Sequence, residues 1–224
     1  MIAELLPAEV AAEDIIGLDP AAALLPEEEE LVARAVEKRR LEVTNVRTAA
    51  RRALARIGVP PVPILRGERG APQWPAGVVG SMTHTAGYCA AAVADIGKIR
   101  SVGIDAEEHA ELPGGVLDAV SLPDERAMLA RLGTGAHWDR LLFSAKESVY
   151  KAWFPLTRRW LGFEHASVTI DPETGTFTAR LLVAGPRVND LPLTAFSGRW
   201  LIDRGLIVTA IAVPANLAKP QVAP

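Results

Sequence analysis

The stretch Val102-Gly-Ile-Asp-Ala-Glu107 combines an apolar strand with two carboxylates at alternate positions. We predict a strand over residues 100–107, whose period of two places Asp105 and Glu107 on one face. Two carboxylates on one face repel each other unless a positive group lies between them, and magnesium commonly takes one or two carboxylates together with phosphates. A metal site is therefore one interpretation, and a strand end that reaches solvent is the other.

The segment Phe143-Ser-Ala-Lys-Glu-Ser-Val-Tyr-Lys151 falls in a predicted helix over residues 137–154. Glu147 and Lys151 are four residues apart, so they share a helix face. One interpretation is a surface ion pair, which contributes only about 0.3–0.5 kcal/mol. Apolar neighbours such as Trp153 favour a partly buried helix, where a lone charge is costly without a partner. A metal ion and a phosphate would be suitable partners.

A third segment, Gly80-Ser-Met-Thr-His-Thr85, precedes a strand predicted over residues 87–97. His84 is either a core or capping histidine or a contact to a phosphate or an adenine ring. The sequence has no Gly-x-x-x-x-Gly-Lys loop, no dinucleotide-binding glycine pattern and no Gly-x-Ser-x-Gly elbow. These absences argue against P-loop, Rossmann and serine hydrolase sites. The order of the three segments predicts magnesium-dependent phosphoryl chemistry.

A basic region precedes these segments. We predict a helix that begins at Pro26 and ends at Gly58, with seven basic residues and a single acid between Lys38 and Arg56. At 100° per residue, Arg40, Arg47 and Arg51 fall near one stripe of this helix. The stripe is either a solvated face or a rim that binds phosphate.

The order of predicted elements indicates an α+β fold. Residues 117–132 are predicted to be helical, residues 59–79 form a long loop, and residues 166–182 and 196–213 form hairpins. The apolar strands that follow Gly87 and Gly205 are weakly similar in sequence. This similarity fits two similar lobes related by a pseudo-two-fold axis. Each lobe would be a small, mostly antiparallel sheet packed with helices. We place the lobes at residues 1–100 and 101–214, with a flexible tail at 215–224.

Composition narrows the class of protein. The chain has 224 residues, 49% of them hydrophobic, which suffices for a sizeable core. A net charge of −3 argues against a dedicated nucleic-acid binder. The single cysteine, Cys89, excludes an internal disulfide and a cysteine-rich zinc site. We find no secretory signal and no stretch of roughly 20 apolar residues, so we expect a cytoplasmic protein without a membrane segment.

With these motifs in order, the sequence resembles the 4′-phosphopantetheinyl transferases of the two-lobed, monomeric, Sfp-like type. The resemblance rests on Gly80-Ser-Met-Thr-His84, on Val102-Gly-Ile-Asp-Ala-Glu107 and on Lys146-Glu-x-x-x-Lys151 about forty residues later, and it runs from about Pro26 to Val213. It is closest to the bacterial branch that serves polyketide, peptide and lipid synthases. The resemblance implies the fold of that family. It also implies holo-[acyl-carrier-protein] synthase activity, which moves the phosphopantetheine arm of coenzyme A to a carrier serine and releases adenosine 3′,5′-bisphosphate.

The resemblance also implies roles for individual residues. Asp105, Glu107 and Glu147 match the magnesium ligands of the family. At Ala106, where some members have a third acid, water or the backbone would substitute. Glu147 matches the proposed base, and Lys151 matches the residue that contacts the phosphate and assists the leaving group. The implied catalytic residues are thus Glu147, Lys151 and Asp105.

The coenzyme A contacts implied by the resemblance extend over both lobes. They include basic residues for the nucleotide and its 3′-phosphate, a histidine for the phosphates, and a wall of the pantetheine channel. The matching positions are Arg39, Arg47, Arg66, Thr83, His84, Asp105, Glu147, Lys151 and Leu161.

The implied partners are coenzyme A and apo acyl or peptidyl carrier proteins. Manganese is a possible substitute for magnesium, and a monomer is expected. Two alternatives stay open: a different magnesium-dependent phosphodiesterase, and a non-catalytic module that binds coenzyme A or carrier proteins. The phosphodiesterase would cleave without an acceptor protein, and the module would bind without transfer.

Overall fold

The computed structural model describes residues 1–216, so the tail predicted at 215–224 lies almost entirely outside the described residues. The first sheet is antiparallel, with strands β1 (Val10–Ile16), β2 (Val78–Thr85) and β3 (Tyr88–Asp95) in the order β1-β3-β2. The strand predicted at 87–97 is β3. Gly87 turns the chain into it at a φ of 69°, which glycine adopts without strain. Residues 80–85, predicted to lie ahead of a strand, instead belong to β2, because their polar side chains find partners inside the molecule.

The long helix of this lobe, α1, runs from Glu37 to Arg56 and packs on β3 and β1. The prediction of one helix from Pro26 to Gly58 is therefore wrong. Residues Pro26–Val32 form a separate 3₁₀ helix, and Val36 breaks the chain between the two helices with an extended backbone (φ −65°, ψ 157°). The separate turn carries Glu28 into the interior, where its carboxylate is buried.

The second sheet is larger and also antiparallel, in the order β4-β10-β9-β6-β5. Its strands are β4 (Ile99–Glu108), β5 (Ala166–Asp171), β6 (Thr176–Leu181), β9 (Ala195–Asp203) and β10 (Leu206–Pro214). Both predicted hairpins are confirmed, since β5 pairs with β6 and β9 pairs with β10. Two-residue strands β7 (Arg187–Val188) and β8 (Leu191–Pro192) pair in the connection between β6 and β9.

Three helices accompany this sheet: α2 (Val116–Val120), α3 (Pro123–Leu129) and α4 (Trp138–Thr157). Residues 117–132 are predicted to be helical, with a helix start marked by Pro123, Asp124 and Glu125. They form two short helices, and the second begins at Pro123. Pro123 disfavours helical backbone at the residue before it, and Leu122 is extended at φ −84° and ψ 159°. Helix α4 confirms the helix predicted at 137–154 and packs on β4 and β10.

The two sheets share a core. Strand β3 is buried on both faces: Cys89, Ala91 and Val93 face α1, and the alternate residues face the second sheet. Cys89 is buried, and burial raises the pKa of its thiol to about 12, so it is a structural residue of the core. The α+β prediction is confirmed, with antiparallel sheets packed by helices. Each lobe has one 20-residue helix, although the sheets differ in size. The lobe boundaries stay a prediction, and within residues 1–216 no helix is long and apolar enough to cross a membrane.

Candidate active site at the junction of the two sheets

Strands β2 and β4 meet where the two sheets come together. The backbone N–H of Ile104 donates to the hydroxyl of Ser81 at 3.1 Å, and that of Ala106 donates to the hydroxyl of Thr83 at 3.2 Å. Strand β4 is an edge strand, so without these hydroxyls its outward N–H groups would be buried and unpaired. The side chains of β2 thus fix β4, and with it the predicted metal ligands.

Asp105 is the centre of the site and is only 5% exposed. Its Oδ1 accepts from Lys151 Nζ at 2.7 Å and from the Thr83 hydroxyl at 3.3 Å. Its Oδ2 is buried, and no described residue donates a hydrogen bond to it. A buried carboxylate oxygen in that position calls for a positive partner.

Glu107 lies two residues further along β4, as the period of two predicts. Arg140 donates to its carboxylate at 2.9 Å and to the backbone carbonyls of Ala110 and Glu111 with its other nitrogens. Burial and the negative charge of Asp105 raise the pKa of Glu107, and Arg140 opposes the increase. Sequence reasoning missed Arg140, because its three partners are about 30 residues away.

Helix α4 supplies Glu147 and Lys151. A side chain at Gly103 would place its Cβ 2.0 Å from the carbonyl oxygen of Ser148, so only glycine lets α4 lie this close to β4. The short distance allows Lys151 Nζ to reach both the Ile104 carbonyl, at 3.0 Å, and Asp105. The predicted pairing of Lys151 with Glu147 is replaced by pairing with Asp105.

Glu147 is held in a negative environment. Burial raises its pKa most, Asp105 raises it further, Lys151 opposes the increase and Glu107 adds to it. The carboxylates of Asp105, Glu107 and Glu147 are therefore near enough to act on one another. Such a set is poised to take up positive charge.

The three carboxylates suit a hard divalent cation, because all their donor atoms are oxygens. The unpaired Oδ2 of Asp105 supports this fit. Within residues 1–216, however, no three such side chains converge on one point, since Lys151 and Arg140 hold two of the carboxylates. Ala106 contributes no side-chain ligand. Its carbonyl points to the same strand edge as its N–H, toward β2, where the expected backbone contact would lie.

We call Asp105, Glu107, Glu147 and Lys151 together the predicted catalytic row. His84 lies beside this row, on the α1 side. Its Nε2 accepts a hydrogen bond from Arg39, and Glu42 lies 3.7 Å from its Nδ1. Burial and Arg39 lower the pKa of His84, while Glu42 opposes the decrease. Lys151 and Asp105 also act on it, so the structure brings the predicted histidine and the catalytic row together.

The arginines on the basic stripe of α1 are only partly available to a phosphate ligand, because each has a partner within the protein. Arg40 pairs with Glu29, and Arg51 pairs with the buried Glu28, so these two side chains are engaged inside the protein. Arg47 is buried and donates from Nε to the Ile64 carbonyl at 3.0 Å. Arg66 is exposed in the neighbouring loop, so the structure brings Arg47 and Arg66 together without joining them to the catalytic row.

Glu147 and Tyr150 each line two cavities. One cavity of about 120 Å³ is walled by Leu161, Trp160 and Phe163. The other, of about 490 Å³, lies between β2 and α4 and is also lined by Lys151. Leu161 is buried against the first cavity, where the resemblance puts the pantetheine channel.

A buried ion pair that the sequence did not reveal supports the wall of the first cavity, to which Phe163 belongs. Lys146 Nζ lies 2.8 Å from the carboxylate of Glu125 and donates to the carbonyls of Phe163, at 2.7 Å, and Ala166, at 3.1 Å. Glu125 accepts in turn from the N–H of Val168. The spacing of Lys146 and Glu147 carries no signal for this role, because all of the partners are distant in sequence.

Comparison with known proteins identifies the family. Residues 27–94 match the model for the 4′-phosphopantetheinyl transferase N-terminal domain, and residues 101–195 match that for the 4′-phosphopantetheinyl transferase superfamily. The chain belongs to the 4′-phosphopantetheinyl transferases. It is 52% identical over 222 residues to the transferase PptT of Mycobacterium tuberculosis, an alignment that covers 95% of this chain and 98% of PptT.

Two further transferases are also similar to the chain. Svp of Streptomyces mobaraensis is 56% identical over 221 residues, with 96% of this chain and 90% of Svp covered. Npt of Nocardia iowensis is 54% identical over 221 residues, with 95% and 99% covered. The predicted family, the predicted transferase activity and the transfer of phosphopantetheine from coenzyme A to carrier proteins are thereby confirmed. The site residues, the magnesium ion and the base stay predictions.

Proposed function

We propose that this 4′-phosphopantetheinyl transferase uses Glu147 as the general base, with a magnesium ion bound by Asp105, Glu107 and Glu147. The observation that carries the proposal is the unpaired, buried Oδ2 of Asp105, a carboxylate whose charge acts on both Glu107 and Glu147. Water or the backbone at Ala106 would complete the ligand set. A bound magnesium ion would neutralise charge on the pyrophosphate of coenzyme A.

Glu147 acts on the carrier serine. A serine hydroxyl is a weak nucleophile and needs a base, and Glu147 is the carboxylate that lines both of the neighbouring cavities. Glu147 takes the serine proton, directly or through water, as the serine oxygen attacks the phosphorus next to the pantetheine arm. The bond from that phosphorus to the nucleotide breaks, and adenosine 3′,5′-bisphosphate leaves.

Other residues hold coenzyme A for this step. Lys151 contacts the reacting phosphate and supports the leaving oxygen, since its ammonium group already lies in the catalytic row. His84, with Thr83 behind it, takes the phosphates from the β2 side. The nucleotide binds to Arg39, Arg47 and Arg66, and the pantetheine arm passes Leu161.

The partners are apo acyl and peptidyl carrier proteins, and the enzyme acts as a monomer. Positioning supplies much of the rate, because coenzyme A and the carrier serine must be aligned on either side of one phosphorus. Manganese replaces magnesium in part, since its ligand preference is similar.

The test is to incubate the protein with magnesium, coenzyme A and several apo carrier proteins. Intact-mass spectrometry is expected to show each accepted carrier gaining one phosphopantetheine group, and a chelator is expected to prevent the gain. No gain on any carrier, with folded protein and bound coenzyme A, contradicts the proposal. Release of adenosine 3′,5′-bisphosphate without a carrier would instead indicate a phosphodiesterase.

A further inference from the structure

The carboxylate of Glu28 is completely buried, yet it takes no part in the mechanism above. It accepts hydrogen bonds from the backbone N–H of Leu25 at 2.9 Å and of Ile64 at 2.8 Å. Arg51 donates to both of its oxygens, at 2.9 and 2.7 Å. One side chain therefore joins the 3₁₀ helix Pro26–Val32, helix α1 and the loop that follows α1.

The peptide of Ile64 is held from two directions. Its N–H donates to Glu28, and its carbonyl accepts from Arg47 Nε at 3.0 Å. Glu28 also lies 3.9 Å from that same Nε. Among residues 1–216, no hydrogen bond occupies the two terminal nitrogens of Arg47, which leaves them for a ligand. The orientation of the Arg47 guanidinium is thus set by groups that a ligand does not contact.

Arg66 follows two residues after Ile64, whose peptide is held by Glu28 and Arg47. The loop is pinned there by a bridge between Arg66 and Pro72 and by the N–H of Gln73, which donates to Leu65 at 2.9 Å. Burial lowers the pKa of Arg47, Glu28 raises it, and the positive charges of Arg66, Arg39 and Arg51 lower it further. These guanidinium groups are crowded, and Glu28 is the acid buried among them.

Crowded arginines repel one another until an anion arrives, and guanidinium groups bind phosphate in a bidentate manner. Coenzyme A carries two separate phosphate groups. The pyrophosphate belongs beside Lys151 and the carboxylates, because the reaction occurs there. The remaining group, the 3′-phosphate of the nucleotide, is the one that a second cluster of cations fits.

We propose that Glu28 is a positioning residue for coenzyme A. Together with Arg51 it fixes Arg47 and the loop of Ile64, so that Arg47 and Arg66 present their guanidinium groups to the 3′-phosphate. This inference rests on the proposed function, since it takes coenzyme A as the substrate. It assigns to Glu28 a role in ligand selection that burial alone would not give.

The test compares coenzyme A with 3′-dephospho-coenzyme A on Glu28→Gln. Binding is measured by calorimetry without a carrier, and kcat and KM are measured with one. We expect the Kd and KM for coenzyme A to rise about tenfold, as for a lost charge-assisted hydrogen bond. We expect kcat to change by less than about twofold, because the catalytic row is untouched. The values for the dephospho compound should stay the same.

The matched control is Arg52→Gln. Arg52 is on the same helix but pairs with Asp19 on the surface, so its loss should change neither ligand's affinity. The proposal is overturned if Glu28→Gln weakens the binding of coenzyme A and of the dephospho compound equally. It is also overturned if the substitution weakens the binding of neither. If Glu28→Gln does not fold, Arg51→Lys keeps the charge and loses the paired contact, and the same selective loss, of about threefold, is expected.

Because affinity is measured separately from transfer, the two proposals fail differently. A wild-type protein that binds coenzyme A in preference to the dephospho compound but transfers nothing contradicts the proposed function alone. A wild-type protein that transfers normally, with a Glu28→Gln variant that keeps the preference, contradicts the role of Glu28 alone.

Discussion

At the scale of single residues, Asp105 connects the parts of the site. One of its oxygens is held by Lys151 and Thr83, and the other is buried without a hydrogen bond in the described chain. An unpaired buried acceptor costs about 1–3 kcal/mol, so a folded protein keeps one only where another requirement outweighs that cost. Under the proposed function that requirement is a bound cation, and Glu107 and Glu147 add to the negative charge that it would neutralise.

Glu147→Gln tests the base. The amide has nearly the same shape but cannot take a proton at neutral pH, so transfer should fall by about 100-fold or more. Coenzyme A binding should largely remain, since the nucleotide contacts are elsewhere. Intact-mass time courses and calorimetry measure the two effects. Transfer at the wild-type rate would show that Glu147 is not the base.

The same substitution is expected to stabilise the protein when divalent cations are removed. The pKa values of Glu107 and Glu147 are raised above the ordinary 4.5, so the folded chain binds more protons than the unfolded chain above that pH. Stability must then fall as pH rises from about 4.5 through the raised pKa values. In EDTA at pH 7, Glu147→Gln should raise the Tm by roughly 2–4 °C, the shift for about 1 kcal/mol in a chain of this size.

Scanning calorimetry between pH 5 and pH 8 measures this effect. The wild-type Tm should decline with pH more steeply than that of Glu147→Gln, and magnesium should reduce the difference. Parallel curves for the two proteins would contradict the charge coupling described here.

At the scale of elements, the site depends on how closely β2, β4 and α4 approach one another. Hydroxyls of β2 replace a strand ladder along the edge of β4. On the other side, Gly103 lets the backbone of α4 touch β4, and Ser101 donates from its hydroxyl to the Ala152 carbonyl at 2.7 Å. Lys151 reaches Asp105 only because both contacts hold.

Gly103→Ala should therefore reduce both stability and activity. The new Cβ would overlap the Ser148 carbonyl, and forcing α4 away from β4 should cost about 3 kcal/mol or more. The matched control is Gly114→Ala, where no atom lies within 4 Å of the new Cβ, and its effect should be within about 0.5 kcal/mol. Urea unfolding and transfer assays measure both variants, and a stable, active Gly103→Ala would contradict the close packing.

At the scale of the whole molecule, the two sheets share one hydrophobic core. The core between the sheets joins Ile2 and Tyr88 from the first part of the chain to Ile104 and Val208 from the second. The site inherits this arrangement, because His84 and Thr83 come from one sheet, whereas Asp105 and Lys151 come from the other sheet and its helix.

Neither predicted lobe should fold by itself. Separating residues 1–100 from 101–224 would expose the shared core and the outer edge of β4, and each half would lose a large part of its buried apolar surface. Circular dichroism with thermal melts should show no cooperative transition for either half. A cooperative melt from residues 101–224 would show that the lobes are independent domains.

The sequence by itself determined what repeats locally. A period of two placed Asp105 and Glu107 on one face, a period of 3.6 placed Glu147 and Lys151 on another, and glycine-containing turns marked both hairpins. These patterns arise from backbone geometry within a few residues, so they can be read without the fold. The family followed from the order of the same motifs.

Only the tertiary structure decided which charges pair with which. Lys151 pairs with Asp105 rather than Glu147, Arg140 holds Glu107, and Arg51 is committed to the buried Glu28. The helix predicted from Pro26 likewise breaks before Glu37, because Glu28 turns inward to partners far along the chain. The strength of an ion pair depends on burial and on distance in space, and neither is encoded in the spacing of the residues along the sequence.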